Sequence, residues 1–144
     1  LKKTLIILLF LITSNLYAQD SLIKPFINEW LGKPYEFGGE SKKGIDCSSL
    51  VQKFYKQVYH VLIPRTCEYI FSFDSLIKVK IEDIQIGDIL LFSSKYSPSG
   101  WHTGIYIGND EFFHSSNYKE GVKISCIYDS YYLEKLKGIR RLKR

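Results

Sequence analysis

The 144-residue chain contains no methionine, only three cysteines and no unbroken apolar run longer than the eight residues Leu5–Ile12. Three cysteines are too few for a disulfide-dense miniprotein. A run of eight is too short to span a bilayer, which takes about 20 residues. Without a methionine, Leu1 reads as an alternative start or an incomplete N-terminus. The chain also lacks internal repeats, low-complexity tracts and linker-like stretches, so one domain is expected. With 45% apolar and 24% charged residues, a disordered tail and a collagen-like repeat are excluded as well. The net charge of +5 is too small to name a partner by itself.

The N-terminal stretch has a sorting layout. Lys2 and Lys3 precede the apolar run, and Thr13-Ser14-Asn15-Leu16-Tyr17-Ala18-Gln19 follows it. This is the pattern of a secretory signal peptide over residues 1–18, cleaved after Ala18; the alternative is a buried N-terminal helix. Residues 19–144 would then form one exported domain, periplasmic or extracellular. No cysteine follows the cleavage point, so no lipoprotein is expected. Export permits disulfides. Cys47, Cys67 and Cys126 can make at most one internal bridge, which leaves one thiol over. Cys67 and Cys126 could pair if the fold brought them together.

Along the remaining chain, Leu22, Phe26, Ile27, Trp30 and Leu31 have helical spacing, and Gly32-Lys33-Pro34 ends that helix. Residues Tyr35–Gly44 read as a loop. Asp46 is a good N-cap for a second helix with an apolar stripe of Leu50, Val51, Phe54, Tyr55 and Val58. Thr66 can cap a third helix running to about Leu76. Asp88–Ser93, Thr103–Ile107, Glu111–Ser116, Val122–Ile127 and Gly138–Leu142 read as strands. Helices followed by a meandering antiparallel sheet make an α+β layout.

Cys47 would occupy the first turn behind the Asp46 cap, where unpaired N–H groups and the helix dipole favour a thiolate. A small buried cysteine in a helix is a common structural feature, so the tetrapeptide Asp46-Cys47-Ser48-Ser49 does not decide the matter alone. A thiolate nucleophile needs a base, and histidine is the usual one. His60 has no polar cluster around it. His102 and His114 fall on consecutive strands. A three-residue loop Gly108-Asn109-Asp110 would set His114 opposite Gly104, one diagonal step from His102 and within reach of it. The result would be a Cys47–His102–His114 arrangement of nucleophile, base and orienting residue. Spacings of 55 and 12 match no local zinc pattern, so no metal and no cofactor are expected.

These residues belong to a recognisable set. Gly32-Lys33-Pro34-Tyr35-Glu36-Phe37-Gly38-Gly39, Asp46-Cys47-Ser48-Ser49-Leu50-Val51, Ile63-Pro64-Arg65-Thr66, Ile86-Gly87-Asp88-Ile89-Leu90-Leu91-Phe92, Trp101-His102-Thr103-Gly104-Ile105-Tyr106-Ile107-Gly108 and Phe113-His114 occur in that order. Together they resemble the NlpC family of bacterial cell-wall cysteine peptidases over about residues 22–142. The resemblance implies a permuted papain-like fold with N-terminal helices packed on a central antiparallel sheet. It implies Cys47 as nucleophile, His102 as base and His114 as the orienting third residue. Tyr35 would lie beside the thiolate, and Asp46, Ser48 and Arg65 would shape the subsite for the free amine end of a peptide. The implied substrate is a peptidoglycan stem peptide or muropeptide, cut between D-Glu and the diamino acid.

Four departures from the family pattern stand out. Thr103 replaces a usual Val, Cys67 a common Ser and Ile70 a common Gln; the SH3-like or targeting domain of many relatives is expected to be absent. Cys67 and Ile70 are expected to touch the substrate subsite. Two other functions therefore compete, a wall-binding pseudoenzyme and an amidase or acyltransferase on the same scaffold. The intact Cys47, His102 and His114 argue against the pseudoenzyme. The basic closing stretch Lys135–Arg144 reads first as a solvated final strand and second as weakly attracted to anionic wall or membrane surface. Nothing points to nucleic acid, and a monomer is expected.

Overall fold

A computed structural model describes residues 21–143; the predicted signal segment lies outside the described residues. Residues 21–30 form the first helix, α1. It buries Ile23, Phe26 and Trp30 and packs Ile27 against the core, while Leu22 and Leu31 face outward, so Ile23 takes the place expected for Leu22 at the start of the stripe. The expected loop contains a small hairpin, β1 (Glu40–Ser41) and β2 (Gly44–Ile45). Helix α2 (Cys47–Phe54) begins where the Asp46 carboxylate accepts from the Ser49 N–H at 2.8 Å. It continues as one wider π turn, Tyr55–Tyr59, and stops at His60, whose φ of 57° breaks the helical path.

Helix α3 (Cys67–Phe71) is shorter than the sequence suggests. At its end the Ser72 hydroxyl donates to the Glu68 carbonyl, and Leu76–Val79 leaves the helix to become β3. There it pairs with the last strand, β8 (Leu136–Leu142), and the ladder bonds gained outweigh a helix extension with little to pack against. The other strands are β4 (Ile89–Ser93), β5 (Trp101–Gly108), β6 (Glu111–Ser115) and β7 (Val122–Cys126). The sheet order is β3-β8-β4-β5-β6-β7, antiparallel throughout. A short helix before β8, α4 (Ser130–Lys135), had no clear sequence signal; the Asp129 carboxylate caps it by accepting from the Tyr131 N–H at 2.9 Å.

Both faces of the sheet are covered, which explains the unbroken apolar run in β4. Ile89 and Leu91 pack with Ile105 and Phe113 against α1 and α2, while Leu90 and Phe92 point to the other side with Phe112 and Ile139. On the helix side Phe26 meets Phe54 and Phe113 edge-on at ring separations of 5.3 and 6.3 Å. On the other side Tyr132 of α4 packs against Phe92 and Phe112.

Much of the basic C-terminal stretch is internal structure. The Arg141 guanidinium donates to both oxygens of buried Asp88 at 2.7 Å and so ties the start of β4 to β8. Arg140 is buried, donates to the Phe71 carbonyl at 2.9 Å and stacks on the Phe71 ring. Lys137 and Lys143 remain exposed.

The turn between β5 and β6 decides where the histidines go. It has two residues, Asn109 and Asp110, both with positive φ (51° and 60°), and not the three expected. Two residues alone would have put His102 and His114 on opposite faces. A bulge at Ile107 adds the missing residue, so Gly108 faces Glu111 but Ile105 faces Phe113. That register sets Gly104 beside His114, as the longer loop would have done.

Candidate active site

Asp46 organises the first part of the site. Its carboxylate accepts from the N–H groups of Ser49 and Gly38, at 2.8 and 3.0 Å, and from the Ser48 hydroxyl. Arg65 grips the same carboxylate with two nitrogens at 3.0 and 2.8 Å, and also reaches the Ser48 hydroxyl at 2.9 Å and Glu40 at 2.6 Å. The structure thus brings Asp46, Ser48 and Arg65 together and adds Glu40, which the sequence reading left out. Two carboxylates and one guanidinium leave this cluster with one net negative charge. Arg65 spends its donors on internal partners and buried Asp46 already accepts from several, so the exposed Glu40 carboxylate is the acceptor left open to an arriving cation.

Cys47 is nearly buried at the first position of α2. Its Sγ lies 3.9 Å from Cys67 Sγ at the start of α3. The thiol of Cys47 is held well below its ordinary range, first by a hydrogen bond from Cys67 and next by one from His102 together with the charge of His102. Burial and Asp46 oppose this and lose. Cys67 moves the opposite way: its proton is retained by the bond to Cys47, by burial and by the neighbouring charge. Tyr35 is pushed up by burial and then by Cys47, so its phenol stays protonated and can donate.

His102 on β5 continues the arrangement. His102 Nε2 and His114 Nδ1 are 2.7 Å apart, and His114 Nε2 lies 2.9 Å from Ser125 Oγ. His114 is fully buried, stacked on Phe112 at 4.4 Å and edge-on to Tyr132. Burial, followed by the charges of His102 and Lys123, keeps its imidazole neutral well below the usual histidine range. A neutral ring has one N–H. If Nδ1 accepts from His102, the proton sits on Nε2 and goes to Ser125. Ser125 lies on β7, and no sequence motif marks it.

Some expectations fail here. Ile70 is fully buried in the core beneath α3 and does not line the subsite; an apolar residue pays no desolvation cost there, whereas a polar one would. Cys67 is not beside Cys126. The first is buried against Cys47, the second exposed at the end of β7, and all three are free thiols. Beyond His102 a cleft of about 820 Å³ opens, lined by Phe92, Tyr96, Tyr118, Lys123, Ser125 and Tyr131 among others. The Asp46 cluster is not part of its wall.

A cysteine of lowered pKa at a helix start, beside a histidine that is itself hydrogen-bonded to a second buried histidine, is the arrangement expected of a cysteine hydrolase. Residues 32–141 match the model of the NlpC/P60 family, and the chain belongs to that family. It is 36% identical over 115 residues to a probable endopeptidase of Haemophilus influenzae, covering 80% of this chain and 70% of that one. It is 37% identical over 114 residues to a gamma-DL-glutamyl hydrolase of Bacillus subtilis, covering 78% and 27%. A murein DD-endopeptidase and LD-carboxypeptidase of Escherichia coli is 35% identical over 115 residues, covering 79% and 58%. Among solved structures, an NlpC/P60 family protein from Bacillus cereus superposes with a TM-score of 0.74 at 30% identity, over 86% of this chain and 40% of that one. The chain therefore spans between 27% and 70% of these relatives' own lengths. By family it is a peptide-cleaving hydrolase with the α+β fold of its structural relatives.

Proposed function

We propose that the chain is an exported cysteine endopeptidase that cuts peptidoglycan stem peptides at the γ-D-glutamyl–diamino acid bond through an acyl-enzyme on Cys47. The observation that carries the reading is a Cys47 thiol whose acidity His102 raises, with His102 in turn joined by hydrogen bonds through His114 to Ser125. The thiolate attacks the scissile carbonyl carbon. N–H groups of the first turn of α2 and the Tyr35 phenol hold the developing oxyanion. The His102 imidazolium gives its proton to the leaving amine as the C–N bond breaks. Water, deprotonated by His102, then releases the acyl group from Cys47.

The charge distribution supports a substrate with a free amine on the acyl side. The net negative cluster of Asp46, Glu40 and Arg65 suits an ammonium group, as at the open end of a stem peptide. The leaving half extends into the cleft past His102, whose volume of about 820 Å³ exceeds the needs of one amino acid. The names of the relatives from Bacillus subtilis and Escherichia coli, a γ-glutamyl hydrolase and a murein peptidase, favour the same substrate class.

The test is incubation of the protein with purified muropeptides, with products identified by mass, beside Cys47→Ala. The expected result is new fragments split between D-Glu and the diamino acid, and none from the variant. Fragments cut at a D-Ala bond would move the assignment to that bond, and acyl transfer to an added amine would favour the acyltransferase. Absence of any product from the wild type would sink the enzymatic reading.

A further inference from the structure

Cys67 forms no bond with substrate in the proposed cycle, yet its sulfur is the thiol next to the nucleophile. It is 4% exposed and Cys47 is 7% exposed. Both residues are nearly covered, with Cys47 slightly the more exposed. The two sulfurs stand 3.9 Å apart, and a disulfide needs about 2 Å. The two residues open different helices. α2 is locked by its Asp46 cap and its fully buried stripe, whereas α3 has only five residues and a long cap contact of 3.5 Å from Tyr69 N–H to Thr66 Oγ1. The movable partner is thus the one carrying the second thiol.

We propose that Cys67 is a resolving thiol: it closes a reversible Cys47–Cys67 disulfide when a small-molecule disulfide reacts at the active site, switching the enzyme off and protecting its nucleophile. In the first step the Cys47 thiolate attacks one sulfur of the reagent RSSR, forming Cys47–S–SR and releasing RS⁻. Capping Cys47 removes the acceptor of the Cys67 S–H bond, the first cause of Cys67 keeping its proton, and then the charge beside it; burial remains. In the second step Cys67 gives that proton to the released RS⁻, and its sulfur attacks the Cys47 sulfur and expels the second RS⁻. Two protein thiols are oxidised and one external disulfide is reduced. The reverse exchange with a reducing thiol restores Cys47. An exported protein meets such oxidising conditions, and without a resolving partner its thiolate would be open to further, irreversible oxidation. The proposal rests on Cys47 being a reactive thiolate but not on the identity of the bond it cuts.

The experiment uses the full chain with Cys126→Ser, so that only two thiols remain, treated with oxidised glutathione. The expected product has lost two hydrogens, retains no glutathione and gives a linked Cys47–Cys67 peptide pair after proteolysis. Muropeptide cleavage falls in step with the linked fraction and returns on adding dithiothreitol. Cys67→Ser in the same background should instead keep glutathione on Cys47. A two-thiol protein that retains glutathione at Cys47 overturns the proposal, as does one whose thiols both stay free under the same treatment. Mass is the primary readout, so a protein that cleaves no muropeptide even when reduced, yet still forms the Cys47–Cys67 link, would refute the peptidase reading and leave this one standing.

Discussion

His102 Nε2 and His114 Nδ1 meet at 2.7 Å across adjacent strands, and the two rings are nearly perpendicular at 76°. The consequence is directional. A neutral, buried His114 can only accept at Nδ1 when His102 carries a proton on Nε2, and it must then donate from Nε2 to Ser125. His102 is left with its other nitrogen for the thiol. A chain of fixed donors and acceptors thus sets the tautomer of the base before substrate arrives.

Ser125 is the far end of that chain, so Ser125→Ala should leave the His114 N–H without its acceptor. Loss of one such bond, worth about 1 kcal/mol, corresponds to a drop in kcat of about fivefold to tenfold. KM should change less than kcat, because the change removes a single hydroxyl from the cleft wall and leaves the Asp46 cluster intact. Ser125→Thr, which keeps the hydroxyl, should recover most of the rate. A change in KM alone would argue against the orienting role.

The acidity of Cys47 makes a second, pH-dependent prediction. Cys67 and His102 both lower it, so the thiolate exists below the ordinary thiol range and is lost only as pH falls through that lowered value. Alkylation by iodoacetamide, followed across pH on the Cys126→Ser protein, should therefore show a midpoint well under the free-cysteine value of about 8.5. In Cys67→Ala the first of the lowering contacts is gone, and the midpoint should move upward. An unchanged midpoint would show that His102 alone sets the thiolate.

Gly104 tests the packing under the histidine pair. A methyl group there would lie 2.7 Å from a ring carbon of Phe112 and 3.0 Å from both His114 Cβ and the Phe113 carbonyl oxygen. The backbone oxygen cannot move aside cheaply. Gly104→Ala should destabilise the fold by about 1–3 kcal/mol in denaturant titration. It should also reduce kcat in the fraction that remains folded, since His114 is pushed off its contact with His102. Full activity at unchanged stability would mean that β5 and β6 can separate without cost.

What the sequence determines alone is local. The Asp46 cap, the helix it starts with Cys47 in the first turn, and the five stripe residues from Leu50 to Val58 are all set by neighbours a few positions apart. The strands that carry His102 and His114 are legible for the same reason, as is the order of motifs that marks the family. The turn joining those strands was not legible, because a two-residue turn with a bulge and a three-residue turn without one give the same side-chain register. Glu40 beside Arg65, Ser125 beneath His114 and Cys67 against Cys47 are contacts over 25, 11 and 20 positions. No capping rule or periodicity reaches that far. They arise when the helices pack on the sheet and loop ends converge, and so only the tertiary structure sets the second and third cysteines apart, Cys67 buried at the side of Cys47 and Cys126 exposed.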